Sequence, residues 1–114
     1  MINNVEENLQ EQKQLQMRKG LLEFCILMAI SEKRTYSSDI LNKLKHAGLL
    51  VVEGTLYPLL SRLKIQELVE YEWEESRSGP PRKYYSLTKK GISVLHGLEK
   101  TWKELHTSIN SLAQ

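Results

Sequence analysis

The chain has 114 residues, of which 40% are apolar, and this size fits a single domain with one core. Its formal net charge of +2 says little about partners, and its only cysteine, Cys25, excludes an internal disulfide framework. The N-terminus lacks the basic and apolar regions of a signal peptide, and the longest apolar stretch is too short for a membrane span. We therefore expect a cytoplasmic protein that does not enter a membrane.

The first predicted element is a helix that starts at Asn4 and is mostly polar through residue 16. We expect residues 1–16 to form an arm that needs a partner to be ordered. The segment Leu21–Ile30 is apolar on nearly all sides, which predicts a buried central helix. Cys25 lies in this segment, so we expect it to fill the core rather than act as a redox sensor.

Two shorter helices are predicted next. Ser37 is a plausible cap for the first of them, and Gly48 ends it. After a short apolar bridge, the next helix begins near residues 53–55, and Pro58 is tolerated if it falls in the first turn. At 100° per residue its leucines cluster on one side. The opposite side is polar and partly basic, with Thr55, Tyr57, Pro58, Ser61, Arg62 and Lys64.

The pattern then changes from helix to strand. Residues 69–74 alternate strictly between apolar and acidic side chains, which predicts a half-buried strand. Residues 77–82 form a predicted turn that is rich in helix breakers and bases, and residues 83–87 return as a second strand. Thr88 is the predicted cap of a last helix that runs nearly to the C-terminus.

The positive charge is concentrated in the middle of the chain. Residues 17–91 carry 13 lysines and arginines against 9 acids, an excess of four, whereas residues 92–114 sum to zero. A locally basic surface suits a polyanion such as DNA. On charge alone, a mixed solvated surface remains the alternative.

Three helices, a hairpin with a basic tip and a final helix form the order of a winged helix-turn-helix, a mainly α fold with a β-hairpin. In this fold the third helix enters the major groove and the hairpin contacts phosphates or the minor groove. Residues 53–91 also resemble the signature of the PadR family of bacterial regulators. Gly54–Leu63 match G-T-L-Y-P-x-L-x-R-L, Trp73 matches a strand tryptophan, and Gly79–Gly91 match G-x-x-R-K-Y-Y-x-L-T-x-x-G.

The resemblance implies a DNA-binding transcriptional repressor. The DNA-binding candidates on the helices and the hairpin are Tyr36, Ser38, Thr55, Tyr57, Pro58, Ser61, Arg62, Lys64, Arg77, Gly79, Arg82 and Lys83. Alternatively, Tyr57 and Arg62 pack or pair locally, and the hairpin tip is an ordinary exposed turn. The chain departs from the family pattern at Lys64, where an acid is usual, and at Glu67, where a glycine usually closes the helix.

Apolar residues of the last helix are spaced 3, 4, 3, 4, 3, which is a heptad seam with a period of 3.5 residues. They are Leu95, Leu98, Trp102, Leu105, Ile109 and Leu112. Such a seam at the end of a closed domain favours a partner helix and therefore a homodimer on a two-fold symmetric operator. The alternative is packing against the chain's own N-terminal arm.

Trp102 lies in the middle of this seam. In the multidrug-binding branch of the PadR family, a similarly placed tryptophan stacks flat aromatic ligands, so the resemblance implies a possible small aromatic effector at Trp102. The neighbours Glu99 and His106 are polar, and a tryptophan packed in the interface is the alternative.

Catalytic and metal sites find no support in the pattern. His46, His96 and His106 lack metal-ligand spacing with Cys25, and motifs for phosphate loops or nucleophiles are missing. We expect no metal, no cofactor and no enzyme activity. The predicted organisation is an arm helix (1–16), a winged-helix DNA-binding domain (17–88) and a C-terminal dimerisation helix (89–114). The alternative functions are a protein-interaction module and a ligand-binding dimer, neither of which binds DNA.

Overall fold

The computed structural model describes residues 4–49 and 51–114 as four helices and one small sheet. The sheet is antiparallel with strand order β1-β3-β2. The three helices, the hairpin and the final long helix confirm the predicted winged helix-turn-helix arrangement. In chain order the elements are α1 (Asn4–Ile30), β1 (Thr35–Tyr36), α2 (Ser37–His46), α3 (Glu53–Ile65), β2 (Val69–Ser76), β3 (Gly79–Leu87) and α4 (Lys89–Ala113).

The core lies where the second half of α1 meets α2, α3 and the base of the sheet. The largest fully buried side chains come from these four places, and Ile26, Ile40, Leu56 and Val69 represent them. The predicted burial of the segment 21–30 is confirmed for its inward side, while Met28 stays exposed on the other side. Cys25 is half-buried among the core residues, and burial raises the pKa of its thiol.

Helix α1 is continuous across the predicted arm boundary at residue 16. Its residues 4–21 are exposed, and its buried side chains begin at Phe24. The exposed parts of α1 and α4 extend the molecule to 54 × 33 × 25 Å with a radius of gyration of 16.8 Å. A compact chain of this length has a radius of gyration of about 13 Å, so the two long helices reach well beyond the core.

The predicted ends of α2 are half right. Gly48 does end the helix: its φ is +89°, and its amide donates to the Lys45 carbonyl at 2.9 Å. Ser37 was expected to cap the other end, but the preceding residue, Tyr36, holds the cap position. Ser37 is buried as the first helical residue, and its hydroxyl shares a hydrogen bond with the Tyr57 hydroxyl at 3.2 Å.

Pro58 lies inside α3, not in its first turn as predicted. The helix begins at Glu53 with Val52 as its cap, so Pro58 is the sixth helical residue. Because proline has no N–H, the Gly54 carbonyl loses its helical donor at this position. The helix starts at the first residue of the predicted range, so Pro58 falls beyond its first turn.

The end of α3 keeps the hydrogen bonds of a glycine-terminated helix although Glu67 replaces the glycine. Glu67 has a φ of +62°, in the left-handed region. Its amide donates to the Lys64 carbonyl at 3.0 Å, and the Leu68 amide donates to the Leu63 carbonyl at 3.0 Å. The chain therefore turns sharply here in spite of the side chain on Glu67.

A tight joint connects the end of α3 to the start of α4. The Thr88 amide donates to the Leu68 carbonyl at 3.1 Å, and its hydroxyl donates to the Glu67 carbonyl at 2.6 Å. The same hydroxyl accepts from the Gly91 amide at 2.9 Å, which confirms Thr88 as the cap of α4. A Cβ on Gly91 would overlap the Leu68 carbonyl oxygen, so only glycine fits there without movement.

The sheet is larger than predicted. Strand β1, which pairs Tyr36 with Tyr84 of β3, was not predicted from the sequence. Strand β3 begins at Gly79, so the predicted turn is reduced to the two residues between β2 and β3. Among residues 4–49 and 51–114, no helix combines the length and the apolar character that crossing a membrane requires.

Candidate nucleic-acid interface

Helix α3 presents three different sides besides its buried leucines. Pro58 and Ser61 are exposed on the side away from the core. Lys64 leans toward the sheet, with its Nζ 5.7 Å from the centroid of the Tyr71 ring. Arg62 leans toward α1, where its Nη1 donates to Glu23 Oε1 at 3.3 Å. The predicted polar face is therefore divided among a solvent side, a sheet side and an α1 side.

The start of α2 joins α3 through one hydrogen bond, between the hydroxyls of Ser37 and Tyr57. Tyr57 is 46% exposed, so its ring edge remains accessible while its hydroxyl is held. Ser38 and Thr55 are exposed close to these residues in sequence. The beginnings of both helices are thus fixed relative to each other, which helix-turn-helix proteins require for contact with one groove.

The hairpin of β2 and β3, which we call the wing, ends in a two-residue turn, Arg77 and Ser78, both of which are exposed. Ser76 pairs with Gly79 and Glu74 pairs with Arg82, so Pro80 and Pro81 together oppose Glu75. This bulge accommodates two residues that cannot donate to a strand ladder. The basic tip is accordingly held by a short, sterically restricted segment.

Arg82 and Lys83, which were predicted together as wing contacts, lie on opposite faces of the wing. Successive residues of a strand alternate between faces. The Arg82 guanidinium carbon lies 4.8 Å from the centroid of the Tyr36 ring. The Lys83 Nζ lies 4.3 Å from the centroid of Tyr71 and 5.1 Å from that of Trp73. One surface cannot present both side chains.

The face that carries Lys83 also receives a lysine from α3, and we call Lys64, Tyr71, Trp73 and Lys83 the lysine face. Both ammonium groups lie over the Tyr71 ring, and Tyr71 meets Trp73 edge-on at 6.2 Å between centroids. Trp73 is 62% exposed because the wing extends beyond the core at this position. The prediction of a half-buried strand therefore holds only near its base, at Val69 and Tyr71.

The opposite side of the wing, which we call the arginine face, consists of Arg34, Tyr36, Glu72, Glu74, Arg82 and Tyr84. Arg34 donates from Nη2 to Glu74 Oε2 at 2.8 Å, and its Nη1 lies 3.7 Å from Glu72 Oε2. Its guanidinium lies 4.7 Å from the Tyr84 centroid. The rings of Tyr36 and Tyr84 are 5.8 Å apart, so cations and rings alternate across this face.

Four charged residues of these contacts were not predicted as site residues from the sequence: Glu23, Arg34, Glu72 and Glu74. Arg34 and Glu74 are 40 positions apart, and Glu23 and Arg62 are 39 apart. Local patterns report only neighbours within one turn or across one hairpin. The acids of β2 were noted in the sequence as part of an alternating strand, but nothing in that pattern indicated Arg34 as a partner.

The predicted dimer seam runs out of the domain along α4. Leu95 is buried and Leu98 half-buried in the chain itself. The exposed fractions then rise along the seam, from 41% at Trp102 and 49% at Leu105 to 57% at Ile109 and 86% at Leu112. The Trp102 ring lies 5.7 Å from the His106 ring, measured between centroids. The outer part of the seam is thus available to a partner.

The remaining chemical features concern metal-ligand clusters and shifted pKa values. Within the described residues, no three His, Cys, Asp or Glu side chains converge as a metal site. Burial raises the pKa of the Tyr85 phenol, with smaller contributions from Tyr57 and Tyr71.

Comparison with known proteins identifies the family. The model of the Transcriptional regulator PadR-like family matches residues 26–97. A PadR-like transcription factor from Bacteroides fragilis is 56% identical, with a TM-score of 0.77 over 89% of this chain and 98% of that one. A PadR-like transcriptional regulator from Bacillus cereus is 41% identical, with a TM-score of 0.77 over 87% of this chain and 97% of that one. A PadR family transcriptional regulator from Eggerthella lenta is 30% identical, with a TM-score of 0.84 over 98% of both chains. The chain therefore belongs to the PadR-like family of transcriptional regulators and is not an enzyme.

Proposed function

We propose that this regulator is a cytoplasmic repressor that acts as a homodimer on a two-fold symmetric operator. The observation that carries the DNA contact is the convergence of Lys64 and Lys83 on one ring, that of Tyr71. Two cations from α3 and from the wing are thereby held on one surface. A phosphate backbone that passes between these two elements would meet both charges.

The two elements have different tasks in this proposal. Lys64, Lys83 and the tip residue Arg77 supply charge, which gives affinity with little sequence information. Tyr57 and Ser61 belong to the accessible part of α3, where base edges of the major groove can be distinguished. Arg62 is a weaker candidate than the sequence indicated, because Glu23 already neutralises it.

The division of tasks is testable with an operator recovered by selection from a random duplex library. Lys83→Gln should weaken binding to the operator and to unrelated duplex alike and should lower the salt slope by about 0.9. Ser61→Ala should cost on the order of 1–3 kcal/mol if Ser61 contacts a base, and this loss should fall mainly on the operator. Fluorescence anisotropy at several salt concentrations separates the two patterns.

Lys100→Gln is the matched control, since it removes the same charge from an exposed position of α4. Equal losses from Lys83→Gln and Lys100→Gln would show that only net charge matters. A selection that recovers no duplex bound by the wild-type protein would favour a protein-interaction module instead.

The homodimer rests on exposed apolar residues of both long helices. Val5, Leu9 and Leu15 of α1 and Leu105 and Ile109 of α4 are each about half exposed or more. Burial of such side chains against a second copy would contribute roughly 25 cal/mol per Å². Leu105→Asp would place a charge in this seam and should yield monomer in sedimentation velocity. Lys103→Asp, on the same helix but outside the heptad seam, should leave the dimer intact, and two intact dimers would exclude this interface.

A small aromatic effector completes the proposal. Trp102 is accessible within the seam, next to the His106 ring. In a dimer it would lie near the interface, where a flat ligand could stack on it and change the separation of the two copies of α3.

A further inference from the structure

The arginine face contains a competition between two cations for one carboxylate. Glu74 of β2 lies directly opposite Arg82 of β3 in the antiparallel register. Opposed side chains in such a pair have Cβ atoms about 4.5–5.5 Å apart, so Glu74 is within reach of the Arg82 guanidinium. An ion pair between them would withdraw Arg82 from any other anion.

Arg34 takes that carboxylate instead. Its Nη2 donates to Glu74 Oε2 at 2.8 Å, and its Nη1 stands 3.7 Å from Glu72 Oε2. The Cζ atom of the same guanidinium lies 4.7 Å from the centroid of the Tyr84 ring, within the range of a cation–π contact. Arg34 comes from the turn before β1 and is therefore anchored outside the hairpin whose acids it neutralises.

Arg82 is consequently directed elsewhere. Its guanidinium lies on the Tyr36 ring at 4.8 Å, at the start of α2. A guanidinium stacked on an aromatic ring keeps its edge N–H donors available for a phosphate. Tyr36 also stacks with Tyr84, so the positions of Arg34 and Arg82 are linked through two rings.

We propose that Arg34 is a positioning residue for DNA binding: by holding Glu74 it keeps Arg82 available to a backbone phosphate. This inference rests on the proposed function and assumes that the wing lies in a groove of the DNA, so that the lysine face meets one phosphate backbone and the arginine face meets the other. Arg34 itself makes no phosphate contact in this scheme.

The experiment is a double-mutant cycle on DNA affinity and on its salt slope. The DNA probes are the selected operator and an unrelated duplex. One phosphate contact releases about 0.9 counterion, which corresponds to about eightfold in affinity at 0.1 M salt. Arg34→Gln should therefore weaken binding by up to about eightfold and lower the slope, as Arg82→Gln does. In a Glu74→Gln background, Arg34→Gln should change affinity by no more than about twofold, the usual error of additivity.

The controls distinguish this role from its rivals. Glu72→Gln removes an acid from the same strand and face but not from the position opposite Arg82, so it should not rescue Arg34→Gln. Arg34→Lys keeps a cation near Glu74 and should retain most of the affinity. Because the Arg34 pair is about half exposed, the thermal midpoint of Arg34→Gln should stay near that of wild type.

Three results would overturn the inference. Equal losses from Arg34→Gln in both backgrounds would mean that Arg34 contacts phosphate itself. Full affinity of Arg34→Gln beside a weakened Arg82→Gln would mean that Glu74 does not compete. Full affinity of Arg82→Gln would remove Arg82 from the interface. Failure of the proposed function is distinct from all three, because the selection would then recover no duplex that the wild-type protein binds.

Discussion

Glu67 is a position where one substitution should make the protein more stable. Its φ of +62° lies in a region that L residues avoid, since the Cβ approaches the following carbonyl. The hydrogen bonds of the turn are made by backbone atoms, so Glu67→Gly would keep them. The substitution removes the steric cause of the strain and leaves the fold of the turn unchanged.

The expected gain is the balance of one favourable and two unfavourable contributions. Left-handed backbone costs an L residue about 1–2 kcal/mol, which glycine would recover. Glycine also has more conformational freedom in the unfolded chain, which costs about 0.5–1 kcal/mol. Loss of the exposed carboxylate, which lies among Lys64, Lys89 and Lys90, subtracts a few tenths of a kcal/mol. The net increase in the free energy of unfolding is about 0.5 kcal/mol, or roughly 2–4 °C in the thermal midpoint.

Glu67→Ala is the control that isolates the backbone contribution. It removes the same charge but keeps the Cβ, so it should be less stable than Glu67→Gly by about 1 kcal/mol. Thermal and urea unfolding, followed by circular dichroism, measures both variants. The protein concentration must be equal throughout, because the midpoint of an oligomer depends on it. A glycine variant that unfolds at or below the midpoint of the alanine variant would refute the left-handed strain at Glu67.

Three further predictions concern other parts of the chain. Gly91→Ala should lower the free energy of unfolding by about 3 kcal/mol, because its Cβ would meet backbone, whereas Gly97→Ala in the same helix should raise it by about 0.5 kcal/mol. A similar response from both would contradict the close approach. Cys25 should react with a thiol reagent more slowly in the folded than in the unfolded protein, because burial raises its pKa; the rate should climb as the pH rises through that raised value, and equal rates in both states would contradict the burial. Phenolic acids or aromatic drugs should quench Trp102 fluorescence and weaken DNA binding together, and quenching that persists in Trp102→Ala would assign it to Trp73 or another site.

Sequence alone predicted the parts of the fold that depend on local patterns. The leucine stripe of α3, the cap at Thr88 and the glycine at the end of α2 are each determined by neighbours in the chain. Strand β1 escaped prediction because two residues are too few to show an alternating pattern. Pro58 was misplaced because the helix start carries no polar cap residue to mark it.

The candidate site was predicted less completely than the fold. Arg82 and Lys83 were taken as one basic group because the Gly-Pro-Pro segment indicated a turn, whereas the structure places it in a bulged strand. Once β3 is known to begin at Gly79, alternation alone separates the two side chains. Arg34 and Glu23 required the tertiary structure, since their partners lie about 40 residues away along the chain.

The joint between α3 and α4 sets the direction of α4 and, in the proposed dimer, the separation of the two copies of α3. Thr88 and Gly91 fix the first turn of α4 against the residues that end α3, so their contacts set the angle between the two helices. With 25 residues α4 is about 37 Å long, and a tilt of roughly 5° at this joint would displace its far end by about 3 Å. In the proposed dimer the same tilt would change the separation of the two copies of α3, which must match a repeat of about 34–36 Å on DNA. Substitutions at this joint would therefore alter the accepted length of the operator while the side chains that contact bases stay the same.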